Sequence, residues 1–266
     1  MDILDKIIAH KKQEVAERKS LFPVKLLEKS IFYETQPLSL KKYLLRDDKT
    51  GIIAEIKRKS PSKGMINPYV SVEKTSIGYM QSGASALSVL TDTEFFGGFN
   101  EDLKIARKFN FCPILRKDFV IDEYQIFESK SIGADAILLI AAALTKEEVE
   151  NLAKKAHELG LEVLLEIHNS DELSAINQFV DVVGVNNRNL KTFEVSIETS
   201  MNLSQNIPKE FVKISESGIS NPEAIIKLRE YGFRGFLIGE YFMMDSRPER
   251  KCEALIEKLE TLKEKI

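Results

Sequence analysis

The chain has 266 residues, 43% hydrophobic and 30% charged, a balance that allows a sizeable core in one large domain or two small ones. Its net charge of -3 lacks the basic surplus of a nucleic-acid binder, so any phosphate chemistry must come from a local site. No run of about 18 apolar residues is present, so no helical membrane span is expected.

The opening stretch, MDILDKIIAHKKQEVAERK, mixes charged and apolar residues at helical spacing without an uninterrupted apolar stretch, which predicts an amphipathic helix rather than a signal peptide. PVKLLEKS begins on a proline and LSLKKYLL repeats a short helical pattern, so residues 1–46 are expected to form a helical extension. Beyond it, short apolar runs recur at GIIAEIK (51–57), ALSVL (86–90), CPILRKDF (112–119), AILLIAA (136–142), LEVLLEIH (161–168), VVGVNN (182–187), FVKISES (211–217) and GFLIGE (235–240). Helical patterns separate them, such as TKEEVENLAKKAHELG and NPEAIIKLREYG, each opening on an N-capping Thr or Asn and closing on Gly. PERKCEALIEKLETLKEKI reads as a closing helix. Apolar runs buried on both faces and joined by helical crossovers imply a parallel sheet. About eight such units predict an α/β fold in which residues 47–266 form a (βα)8 TIM barrel, within one domain spanning 1–266. The alternative, an open doubly wound sheet, lacks its G-x-G-x-x-G fingerprint after the first strand.

Barrel chemistry lies at the C-terminal ends of the strands. Glu55 and Lys57 lie two apart on the first run and so leave the same face of a strand. Later runs end in Arg116, Lys117 and Asp118, in Glu166 and His168, in Asn186, Asn187 and Arg188, and in Glu216, Ser217 and Gly218. Paired ions filling the barrel top would explain any one of these; a functional site explains the set, because buried charge costs stability that an apolar layer would not. SESGIS and LIGEYFM place Gly218 and Gly239 at turns where backbone N–H groups approach an anion, and the basic loop KRKSPSKG offers Arg58 and Ser60. Cys112 and Cys252 match no metal or redox spacing and read as buried, reduced thiols of a cytoplasmic protein; the three histidines form no ligand pattern.

In order, AEIKRKSPSKG, LTDTEFFGG, ILRKDFVIDEYQI, GADAILLIAAAL, VLLEIHN, VGVNNRNL, ISESGI and FLIGEYFM closely resemble motifs of the indole-3-glycerol phosphate synthase family, over roughly residues 50 to 245. The helical extension resembles that family's as well. The resemblance implies ring closure of 1-(2-carboxyphenylamino)-1-deoxyribulose 5-phosphate to indole-3-glycerol phosphate, with loss of CO2 and water and no metal or organic cofactor. It implies Lys117 as general acid, a role best served if burial and Arg116 lower its pKa. It gives Lys57 to the substrate carboxylate, and possible acid duty in dehydration, with Glu55 holding Lys57. Glu166 is the implied base, suited by a raised pKa; Asn186 and Glu216 orient the substrate, and Arg188 contacts the reacting region. Phe96, Phe119 and Leu138 match positions that sandwich the anthranilate ring, and Ser60, Ser217, Gly218, Gly239 and Glu240 match phosphate-site positions.

Glu240 departs from the small residue common there, which raises the question of where its carboxylate turns. His168 receives no role beyond a hydrogen-bonded histidine. The expected partner is a small phosphosugar, with neither nucleic acid nor membrane, and the expected state is a monomer. Competing readings are an isomerase or Schiff-base aldolase on the same barrel, or a phosphosugar-binding protein without turnover.

Overall fold

The computed structural model describes residues 3–263. It begins with α1 (Ile3–Leu21), α2 (Val24–Leu27) and α3 (Leu40–Leu44), the predicted helical extension. Eight parallel strands follow: β1 (Ile52–Ile56), β2 (Ala86–Leu90), β3 (Ile114–Lys117), β4 (Ala136–Ile140), β5 (Glu162–Ile167), β6 (Val182–Asn186), β7 (Val212–Glu216) and β8 (Phe233–Ile238). Each pairs with the next in sequence and β8 returns to β1 through Ile53↔Leu237, so the sheet closes into the expected barrel.

The alternation of side chains along each strand explains why the runs are apolar on both faces. On β1, Ile52, Ala54 and Ile56 pack outward with residues of the surrounding helices, while Ile53 joins an inner cluster with Leu115, Leu164, Ile214 and Leu237. Leu40 and Leu44 belong to that same inner cluster, so α3 closes one end of the barrel. Its approach needs Gly235, where a Cβ would meet Ile214 and Leu44. Polar anchors at the same end fix it: Leu38 N–H donates to Asp135 (2.7 Å) and Lys41 N–H to Glu162 (2.8 Å), at the starts of β4 and β5.

The outer layer holds α4 (Val72–Gln81), α5 (Asn100–Phe109), α6 (Glu123–Ser131), α7 (Lys146–Glu158), α8 (Glu198–Leu203), α9 (Pro222–Glu230), α10 (Glu240–Met243) and α11 (Pro248–Lys263). The predicted caps are present. Thr145 and Glu148 make a reciprocal capping box on α7, and Asn221 accepts from Ala224 N–H at the start of α9, with Pro222 in its first turn. Between β5 and β6 the crossover shrinks to a 3-10 turn, Ser170–Ala175, and the basic loop after β1 folds into a small hairpin pairing Lys59–Ser60 with Gly64–Met65. Among the described residues, no helix is long and apolar enough to cross a membrane.

Candidate active site

At the end opposite α3, the strand termini surround a cavity of about 520 Å³. Every predicted site residue lines it except Arg58. The inward alternation delivers them: Glu55 follows Ile53 on β1, Lys117 follows Leu115 on β3, and Glu166 follows Leu164 on β5. Residues far apart in sequence therefore meet around one space.

Two ion-pair groups form its floor. Lys117 Nζ lies 2.7 Å from Glu166 Oε2 and 2.8 Å from Glu216 Oε2, while Lys57 Nζ lies 3.0 Å from Glu55 Oε1. Glu55 also accepts from the Ser88 hydroxyl at 3.2 Å. Two glycines make room for these carboxylates. A Cβ at Gly184 would overlap Glu216 Oε1, and one at Gly239 would overlap Glu55. Gly239 has φ -122°, so space is its requirement rather than left-handed backbone. Gly218 is different: its φ is +75°, that of the preceding Ser217 is +69°, and Asn187 Nδ2 holds the turn by donating to the Ser217 carbonyl at 3.0 Å.

The protonation pattern departs from expectation. Arg116 leaves β3 on the face opposite Lys117 and is buried outside the barrel against Glu128 (2.6 Å), Asp118 (3.2 Å) and Ser129 (3.0 Å). It therefore does not lower the Lys117 pKa. Burial would lower it, but the charges of Glu166, Glu216 and Glu55 outweigh burial and hold the ammonium well above its usual range. Glu166 is likewise opposite to expectation: burial alone would raise it, yet Lys117 and His168 keep it well below the usual carboxylate value. The carboxyl with a raised pKa is Glu216, pushed up to about 7 by burial and by the neighbouring Glu166 charge, against the pull of Lys117.

Arg58 is the misplaced prediction. Its guanidinium forks onto Asp102 (2.5 and 2.9 Å) and donates to the Gly97 carbonyl, stapling the loop after β1 to the start of α5 instead of facing the cavity. Lys63, farther along the same loop, does line the cavity, and it lies 3.6 Å from Glu240 Oε1. Arg188 meets the other oxygen of Glu240 at 3.0 Å, so that carboxylate is turned toward two cations. Phe96 and Phe119 form one apolar wall with ring centroids 5.9 Å apart, and Leu138 also lines the space.

Ile3, Leu4 and Ile7 of α1 also line the cavity, which the sequence did not reveal because one apolar helix face looks like another. The anchor of α1 is Lys11, fully buried and ion-paired with Glu14 (2.9 Å), Asp92 (2.9 Å) and Asp118 (3.0 Å). Asp92 in turn accepts the Phe95 and Phe96 N–H groups, and Asp118 the Phe119 N–H. Among the described residues, no group of three or more His, Cys, Asp or Glu is placed to hold a metal ion.

A closed parallel barrel with its ionisable side chains gathered at the strand C-termini is a (βα)8-barrel enzyme. A family model for indole-3-glycerol phosphate synthase matches residues 4–255. Relatives of that name are 51% identical over 247 residues in Bacteroides thetaiotaomicron (93% of this chain, 95% of theirs) and 41% identical over 262 residues in Alkaliphilus metalliredigens (98% of both). The chain belongs to the indole-3-glycerol phosphate synthase family. The fold is shared with a crystal structure of tryptophan synthase subunit alpha from Legionella pneumophila, at a TM-score of 0.63 and 15% identity over 85% of this chain and 98% of that one.

Proposed function

We propose that the chain converts 1-(2-carboxyphenylamino)-1-deoxyribulose 5-phosphate into indole-3-glycerol phosphate, CO2 and water, and that the cavity residues divide the work as follows. The apolar wall of Phe96, Phe119 and Leu138 receives the anthranilate ring, with its carboxylate on Lys57. The ring carbon bearing the carboxylate forms a bond to the ribulose C2, and the carbonyl oxygen takes a proton from Lys117. The electron pair of the bond to the carboxylate then returns to the ring as CO2 leaves. In the last stage the new hydroxyl departs as water, with Lys57 or Lys117 supplying its proton, and Glu166 removes the proton whose loss makes the indole aromatic.

The observation that carries this reading is the placement of Lys117 between Glu166 and Glu216, inside the same cavity as the Lys57–Glu55 pair. An ammonium held this firmly is charged when the substrate arrives, and a developing alkoxide is basic enough to take its proton. A Schiff-base aldolase needs the opposite, a neutral amine, which three nearby carboxylates oppose. At the other end of the cavity, the phosphate is received by Ser60, Lys63 and the backbone N–H groups of Gly218, Gly239 and Glu240. Asn186 and Glu216 face the sugar hydroxyls, with Arg188 at the reacting region. Adding the ribulose phosphate and following indole fluorescence tests the proposal. Absence of fluorescent product, or a covalent adduct trapped by borohydride, refutes it.

A further inference from the structure

His168 follows Glu166 by two residues and lies at the end of β5, just behind the cavity. Its ring is enclosed, with Nε2 3.4 Å from Glu166 Oε1, an ion-pair contact off hydrogen-bond geometry, and Nδ1 3.2 Å from Glu172 Oε2. Glu172, in the 3-10 turn Ser170–Ala175, is itself fixed: the His168 backbone N–H donates to Oε2 at 2.8 Å and Asn169 Nδ2 to Oε1 at 2.6 Å. The charged groups acting on the ring are thus Glu166 and Glu172, and beyond Glu166 stand Lys117 and Glu216.

Glu166 and Glu216 approach the same ammonium at nearly equal distances, 2.7 and 2.8 Å. Lys117 alone gives neither carboxylate preference, and two buried carboxylates so close do not both ionise freely. The difference lies on their far sides. Glu166 Oε1 faces the His168 ring, whereas Glu216 Oε1 is buried without a hydrogen-bond partner. We propose that His168 is a positioning residue: its imidazolium, anchored by Glu172, keeps Glu166 ionised and oriented, so that the proton shared by the two carboxylates resides on Glu216. This inference rests on the reading of Glu166 as the base. It assigns complementary tasks to the pair, since ionised Glu166 accepts a proton while protonated Glu216 offers an O–H to a substrate oxygen. The ring itself is suited to the role: burial would neutralise it, but Glu166 and Glu172 overcome burial and push its pKa up to about 10.

Two measurements test the proposal. In the unmodified protein at about pH 8, nitrogen NMR of the His168 ring should show both nitrogens protonated, and a neutral ring overturns the idea. In His168→Gln, or His168→Asn if the first folds poorly, the acid limb of the kcat profile should move up by about one pH unit or more. The ratio of native to variant kcat should then grow about tenfold between pH 9 and the foot of that acid limb, below the native Glu166 value. A ratio constant with pH means His168 acts only through packing, and the proposal fails. Glu166→Gln separates the two failures. If that variant turns over normally, the base assignment itself is wrong. If it is inactive while the His168 ratio stays flat, only the role given to His168 is lost.

Discussion

Lys117 is the residue on which the proposed chemistry turns, and its surroundings store a proton rather than loosen one. Two of its three N–H donors meet carboxylates, which leaves the third for the carbonyl oxygen in the proposed reaction. Lys117→Ala should therefore lower kcat by about 10² to 10⁴-fold, the usual contribution of a placed acid, in steady-state fluorescence at saturating substrate. Turnover within a few-fold of native would remove Lys117 from the mechanism. Glu240 allows a test in the opposite direction. Its carboxylate pairs with Arg188 and Lys63 beside the glycine turns, so in the proposed site it competes with an incoming phosphate for Lys63. Glu240→Ser should lower KM and strengthen competitive inhibition by inorganic phosphate by several-fold, as expected for one exposed ion pair released. Unchanged or weaker inhibition would mean that the phosphate is bound elsewhere.

Among the elements, α1 does more than extend the barrel. Lys11 joins it to Asp92 and Asp118, and these two aspartates hold the backbone of the loops bearing Phe96 and Phe119. Farther along, Arg18 binds Glu128, which also receives Arg116. Lys11→Met keeps much of the side-chain volume but takes the cation from buried Asp92 and leaves Asp118 with Arg116 alone. The expected cost is about 3 to 5 kcal/mol in denaturant unfolding, together with a raised KM as the apolar wall loosens. Native stability in that variant would show that the cluster is dispensable. On β6 the constraint is purely spatial: Gly184→Ala places a methyl where Glu216 stands, so kcat should fall although the substitution is far milder than any change of charge.

Across the whole molecule, buried ionisable groups make stability depend on pH in two opposing windows. Asp118, buried between Lys11 and Arg116, resists the effect of burial and is held near 2, below its ordinary 3.8. Its contribution is present above the unfolded value and lost as pH falls through 2. Glu216 is raised from 4.5 to about 7 and Asp135 from 3.8 to about 6, in both cases chiefly by burial. Raised carboxyls stabilise below their unfolded values, and that contribution is lost as pH rises through the folded ones. Denaturant midpoints should accordingly peak at about pH 4 and decline up to about pH 7. A level profile from pH 5 to 8 would contradict the burial of these carboxyls in ionisable form.

Much was legible in the sequence, and for a physical reason. The short apolar runs buried on both faces, the Thr145 and Asn221 caps and the glycines that close helices specify elements locally, so the strand count and the barrel followed from pattern. The same alternation placed Lys117, Glu166 and Glu216 at one mouth, because residue parity on a strand decides which face a side chain leaves. Direction of charge was not legible. Arg58 is as basic as Lys57, yet it forks onto Asp102, a partner distant in sequence; the parity that turns Arg116 away from Lys117 says nothing of a loop residue. Nor were the proton assignments, since the pKa of Glu166 or Glu216 depends on which cations lie within a few ångströms after closure. Sequence determined the strands, the order of the motifs and the types of group available at the mouth. Tertiary structure alone decided which charges neighbour one another, that α1 walls the cavity, and that the raised carboxyl is Glu216 rather than Glu166, because electrostatic energy depends on distance in space and not on position along the chain.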